Sequence, residues 1–218
     1  MSAARLVLMR HGRSLWNAEQ RFTGWADVDL DHLGVCEAVA AAERLRTDGV
    51  RPTVVHSSKL VRAARTADIV VQTLGLVDVC VERSWRLNER HYGALQGMTL
   101  AEANRRFGSE RVARWRRSAA ARPPQPTDEG RPVRAESFAD VVERVEPWWR
   151  FRVVPALQRG TTVLVVAHGT TVRALLRHVE SLDNEAAARV EVPTGRPLVY
   201  EWLPGTTVDG LYRRLSGE

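Results

Sequence analysis

The chain has 218 residues, 44% of them apolar and 27% charged, with a formal net charge of +6. That suits a soluble globular protein, read as one domain over 1–218. No run is long enough to cross a bilayer and the apolar N-terminal stretch is too short for a secretory signal, so a cytoplasmic location without a membrane partner is expected. The basic excess is carried by scattered arginines (Lys59 is the only lysine) with no basic tail and no RNA-binding aromatic signature, so a small anionic substrate is expected rather than nucleic acid.

Along the chain, Arg5–Met9 reads as a buried strand. Leu33, Cys36, Val39 and Ala40 recur at helical spacing and predict a helix over Leu33–Leu45 that stops near Gly49. Thr53–His56 reads as a second strand, Leu60–Leu74 as a helix closed by Gly75, and Val77–Glu82 as a third strand. Two short helices, Leu100–Phe107 and Glu110–Arg117, are separated by Gly108. Residues 118–135 are rich in proline and small residues and read as an exposed loop. A long amphipathic helix is expected over Ser137–Leu157. Thr162–Ala167 is apolar on both faces, as a central parallel strand must be, and Val172–Val179 is the helix after it. Leu198–Leu203 and Leu211–Leu215 read as late strands. Strands alternating with helices predict an α/β fold: a three-layer sandwich with a mixed, mostly parallel central sheet flanked by helices. Cys36 and Cys80 lie far apart in apolar segments and read as buried free thiols; without a clustered Cys or His pair, no metal site is expected.

Two strands end the same way. Arg10-His11-Gly12 follows the first strand and His168-Gly169-Thr170 follows Thr162–Ala167. In open α/β sheets ligands bind beyond the carboxyl ends of the strands, so parallel neighbours would bring both histidines to one edge. A helix start offers free N–H groups and the positive dipole end to an anion. Arg10 adds a planar fork for phosphate oxygens, and Arg62, shortly after His56-Ser57-Ser58, could supply a second. An imidazole in that field is a nucleophile toward phosphorus if a backbone carbonyl orients its other nitrogen. Glu89 is a candidate general acid.

The chain resembles the histidine phosphatase superfamily and, within it, the cofactor-dependent (2,3-bisphosphoglycerate-dependent) phosphoglycerate mutases. The resemblance rests on Leu8-Met9-Arg10-His11-Gly12, Arg21-Phe22-Thr23-Gly24-Trp25, Asn88-Glu89-Arg90-His91-Tyr92-Gly93, Trp115-Arg116-Arg117 and Ala167-His168-Gly169, in order along nearly the whole chain. It implies that His11 is phosphorylated and passes the phosphoryl group on, and that Arg10, Arg62 and His168 bind that group with help from Asn17 and the Gly169 backbone. It further implies that Glu89 moves the proton and that Thr23, Gly24, Arg90, Tyr92, Arg116 and Arg117 hold the rest of the substrate. Thr170, following the second His-Gly, belongs to the same binding set. No metal is needed and none is bound tightly as cofactor; 2,3-bisphosphoglycerate or an equivalent bisphosphate would prime the enzyme. Homo-oligomers are common in the family. The expected reaction is the interconversion of 2- and 3-phosphoglycerate, with a mutase of another sugar or polyol phosphate, or a phosphatase, as alternatives.

Departures bear on those alternatives. Arg13 stands where the family usually has glutamate, Leu100 where a lysine contacts substrate, and Thr170 where asparagine is usual. The 118–135 loop is shorter than the family's, and the sequence stops at Glu218 without the family's C-terminal tail. A lost cation weakens the hold on a bisphosphate, and a lost cover admits water to a phosphohistidine.

Overall fold

The apolar run after Ala4 forms β1 (Arg5–Arg10), near the centre of a six-stranded sheet in the computed structural model, which describes residues 4–125, 134–203 and 211–216. In spatial order the sheet runs β3 (Val81–Arg83), β2 (Val54–Ser57), β4 (Thr162–Ala167), β1, β5 (Pro197–Leu203) and β6 (Leu211–Ser216). The first four strands are mutually parallel; β5 runs antiparallel to β1, and β6 to β5. The sheet is thus mixed and mostly parallel, as the alternation of elements predicts.

Strand alternation divides the core into two layers. Leu6, Leu8, Val163 and Val165 pack on one face against α6 (Phe138–Trp148) and α8 (Gly169–Val179). Val7, Met9, Leu164 and Val166 pack on the other against α2 (His32–Thr47) and α3 (Val61–Thr73). Each fully buried side chain of this kind contributes about 1.5–3 kcal/mol. A smaller apolar cluster (Leu95, Ala103, Val112 with Phe22, Tyr92 and Trp115) lies under α4 (Leu100–Phe107) and α5 (Ser109–Arg117). Short helices α1 (Leu15–Ala18), α7 (Val154–Gln158) and α9 (Asn184–Arg189) complete the set used below.

Several expectations are corrected. Helix α2 forms, but Leu33, Cys36, Val39 and Ala40 lie on its outer side; the buried stripe is Gly34, Ala38, Ala41, Ala42 and Leu45. Four of the stripe's five residues are small, which lets this helix sit close on the sheet. Cys36 and Cys80 are both exposed, not buried. Cys80 is outside because the third strand begins only at Val81; the Val77–Cys80 stretch is a turn and linker in which Val77 stays 90% exposed. The expected helix over Ser137–Leu157 is continuous but widens into a π-helical turn over Trp149–Val153. Pro147 lies inside it and has no N–H to donate, and the turn follows directly. The loop at 118–135 is anchored at both described ends by buried alanines, Ala119 and Ala135, rather than exposed throughout; residues 126–133 lie outside the described set. Helix α8 begins at Gly169, earlier than the Val172 start expected from periodicity, and this places its N-terminus at the second histidine.

Candidate active site

Strands β1 and β4 are in register from Arg5↔Thr162 to Arg10↔Ala167. The next residue of each strand is therefore a histidine beside a histidine. The His11 N–H donates to the Ala167 carbonyl at 2.9 Å, and the two imidazoles meet edge to face with centroids 5.0 Å apart. Both rings are buried.

His11 is held by its own loop. Its Nδ1 lies 2.7 Å from the Gly12 carbonyl, so Nδ1 carries the proton and Nε2 keeps its lone pair. Burial, then the charges of Arg62 and Arg10, hold its pKa well below the usual histidine value. The imidazole is neutral at pH 7, as a nucleophile must be. Gly12 is required here by space: a Cβ on it would lie 2.1 Å from the Gly34 carbonyl oxygen, where the loop crosses the start of α2. The Gly12 N–H donates to the Thr66 hydroxyl at 3.1 Å, which in turn donates to the Arg62 carbonyl at 2.7 Å, tying the loop to α3.

The cations come from the end of β1 and the first turn of α3. Arg62 is fully buried; it donates to the Ala26 carbonyl at 2.9 Å and the Gly24 carbonyl at 2.7 Å. Burial lowers its pKa to about 10, which leaves it charged at neutral pH. Arg10 donates to the Val192 carbonyl at 3.0 Å, while its buried Nε has no partner among the described residues. The buried Nδ1 of His168 is also without one. Burial, followed by Arg62, His11 and Arg10, pushes the His168 pKa well down. His168 is the N-cap of α8 and makes no side-chain cap bond, so the first N–H groups of that helix open toward the same space. Unpartnered buried nitrogens beside a helix N-terminus form an environment for an anion.

Glu89 enters from the loop after β3 and lines the same cavity. One carboxylate oxygen accepts from the Arg90 N–H at 2.7 Å. Its loop is fixed from two helices. Thr171 of α8 donates to the Asn88 carbonyl at 2.7 Å. Arg144 of α6 donates to the Arg86 carbonyl at 2.6 Å and the Asn88 carbonyl at 3.2 Å, while gripping both oxygens of Glu136 at 2.7 and 3.0 Å.

These groups surround a cavity of about 930 Å³. Of the residues named from the sequence, Arg10, His11, Asn17, Thr23, Gly24, Arg62, Glu89, Tyr92, Arg116, Arg117, Gly169 and Thr170 all line it, and His168 lies directly behind His11. Arg90 does not. It is buried beneath the cavity, and its three nitrogens donate to the carbonyls of Glu136, Trp115 and Ala121 at 2.6–2.8 Å. Its contribution is to hold the end of α5, which carries Arg116 and Arg117. Arg13 turns to Asp31 at 2.6 Å. Leu100, at the start of α4, lines the wall. Gln20, Arg21, Phe22, Arg173, Ala188, Arg189 and Glu191, none of them named as a site residue from the sequence, also line the cavity. Arg173 and Arg189 lie on α8 and α9, outside any motif, and only the packing of the helices brings them in. A shallower depression of about 580 Å³ beside β3, lined by Val71, Leu76 and Val79, is remote from this chemistry. Among the described residues no cluster of His, Cys, Asp and Glu could hold a metal ion, and no described helix is long and apolar enough to cross a membrane.

Comparison with known proteins agrees with the geometry. Residues 6–208 match the model of the histidine phosphatase superfamily, branch 1. The chain is 46% identical to the 2,3-bisphosphoglycerate-dependent phosphoglycerate mutase of Thermobifida fusca, covering 90% of this chain and 86% of that one. It is 42% identical to the protein of that name in Corynebacterium diphtheriae, covering 95% and 90%. Among solved structures, a mycobacterial glucosyl-3-phosphoglycerate phosphatase superposes with a TM-score of 0.78 at 30% identity, with 98% of both chains covered.

Proposed function

Since the chain belongs to the histidine phosphatase superfamily, among the 2,3-bisphosphoglycerate-dependent phosphoglycerate mutases, we propose that it is a phosphomutase that interconverts 2- and 3-phosphoglycerate through phospho-His11. The observation that carries this reading is the His11–His168 pair, with the proton of His11 fixed on Nδ1 toward Gly12 and the charges of Arg62 and Arg10 acting on it. Nε2 of His11 attacks the phosphorus of a bisphosphate primer. The bond to the leaving oxygen breaks, and Glu89 supplies that oxygen's proton. Arg10, Arg62, His168 and the α8 N-terminus stabilise the charge on the equatorial oxygens; these are fixed donors, so the step calls for no metal ion. The hydroxyl of the bound monophosphate then attacks phospho-His11, giving its proton back to Glu89. Arg116 and Arg117, with Arg173, line the same cavity and supply the second zone of positive charge that a doubly phosphorylated intermediate needs.

A second reading, phosphatase activity, is favoured by Leu100 in the cavity wall and by the likeness to the mycobacterial phosphatase. Purified protein primed with 2,3-bisphosphoglycerate separates the two: isomerisation of 3-phosphoglycerate faster than phosphate release supports the mutase, and phosphate release without isomerisation overturns it. Chelator leaves either activity unchanged.

A further inference from the structure

His168 raises a question that His11 does not. The proton of His11 is placed by a carbonyl, which can only accept. The partner of His168 is a hydroxyl, which can do either: Ser58 Oγ lies 2.7 Å from Nε2. Both groups are buried, and neither Ser58 nor its bond appears in the chemistry above.

We propose that Ser58 is a positioning residue: its hydroxyl donates to Nε2 of His168 and thereby fixes the ring proton on Nδ1, the nitrogen left to donate to the transferring phosphoryl group. The proposal rests on the reading of His168 as a hydrogen-bond donor to the transferring phosphoryl group. Three observations carry it. First, Ser58 Oγ already accepts from the Leu60 N–H at 3.1 Å, so the oxygen is engaged as an acceptor and its own proton needs a destination. Among the described residues the one acceptor in reach is His168 Nε2. The opposite orientation, Nε2–H toward Ser58, would strand a buried hydroxyl proton, and such groups are rarely left unpaired. Second, Nδ1 of His168 is buried and has no partner among the described residues. As an N–H it is a donor waiting for an anion. As a bare lone pair it would repel one and weaken the hold of Arg10 and Arg62 on the same group. Third, the neighbouring serine is committed elsewhere: Ser57 donates to the Val166 carbonyl at 3.0 Å. Of the two adjacent hydroxyls at the end of β2, Ser58 is the one aimed at the ring. Because Ser58 also holds the Leu60 N–H just before α3, the same turn that sets the His168 tautomer starts the helix that delivers Arg62.

The test is the position of the ring proton. Two-bond 1H–15N correlation spectra of the uniformly labelled full-length protein, with His168 assigned from the signals lost in His168→Gln, are expected to show Nδ1 protonated and Nε2 bare. Ser58→Ala is expected to populate the Nε2–H form and to lower kcat on the order of 100-fold, the scale of losing one aligned donor, with a smaller change in KM. A wild-type spectrum with the proton on Nε2 overturns the proposal, and so does a Ser58→Ala protein with wild-type kcat. The wild-type spectrum decides even if Ser58→Ala does not fold. Full activity in His168→Gln would instead overturn the reading of His168 on which the proposal rests.

Discussion

Arg144 tests how the acid–base group is held in place. Its guanidinium and the Glu136 carboxylate are 6% and 15% exposed, form a two-pronged pair, and the remaining donor caps the carbonyls of Arg86 and Asn88 just before Glu89. Arg144→Ala leaves the Glu136 charge without its partner and those carbonyls without their donor. Breaking a buried pair from one side costs about 3–5 kcal/mol. For a chain of this size about 1 kcal/mol moves Tm by 2–4 °C, so the expected loss is roughly 6–20 °C. Removing the charge from both sides, with Arg144→Met and Glu136→Gln together, should recover part of that loss but not all, because the carbonyls stay uncapped. The calorimetric series should be paired with the isomerase assay at a temperature where each variant is folded. The double variant should remain slow, with kcat rather than KM affected, since Glu89 loses its anchor. A single variant that melts within about 3 °C of wild type, or a double variant of full activity, would refute this account.

His11→Gln should give no acid-labile phosphoenzyme after incubation with 2,3-bisphosphoglycerate; labelled protein would remove His11 from its role. Leu100→Lys restores a cation to the cavity wall and should tighten binding of 2,3-bisphosphoglycerate about twofold to fivefold at low salt, an exposed-pair effect of up to about 1 kcal/mol that fades as salt rises, measured by calorimetric titration. Stability should fall on acidification. The unfolded chain protonates its histidines near pH 6.5, whereas burial holds His11 and His168 well below that value and His56 at about 4 in the fold. The unfolded state therefore binds more protons below pH 6.5, and each histidine removes about 1.4 kcal/mol per pH unit in that window. His56→Leu should flatten the slope of a denaturant series between pH 6 and 4.5 relative to wild type, and an unchanged slope would contradict the assignment. Gly12→Ala forces a methyl group onto the Gly34 carbonyl and should cost about 1–3 kcal/mol of stability together with most phosphoryl transfer; a neutral result would mean the loop has room to move.

Much of the site was legible because its chemistry sits at strand ends, where apolar runs stop abruptly. Leu6–Met9 and Val163–Val166 announce buried parallel strands, and the residues after them can only be at the sheet edge. What escaped is what periodicity does not weigh. Apart from Leu45, the buried stripe of α2 is Gly34, Ala38, Ala41 and Ala42, residues with little apolar surface, so Leu33 and Val39 looked like the inner face although they are outside. Arg90 was expected to hold substrate on the family resemblance alone; three backbone carbonyls, unreadable from sequence, engage its nitrogens. Arg173 and Arg189 reach the cavity only through the way α8 and α9 pack, and Ser58 acquires meaning only when His168, distant in sequence, lands 2.7 Å away.

The placement of β1 has a consequence for how the molecule is made. Strand β1 precedes the other five strands in the sequence, yet both of its neighbours, β4 and β5, belong to the last third of the sequence. Until those late segments are translated, the earliest strand has no edge to pair with and must wait without docking, a high-contact-order arrangement that folds slowly and exposes apolar chain to other nascent polypeptides. A product truncated before His168 therefore holds one imidazole without the other.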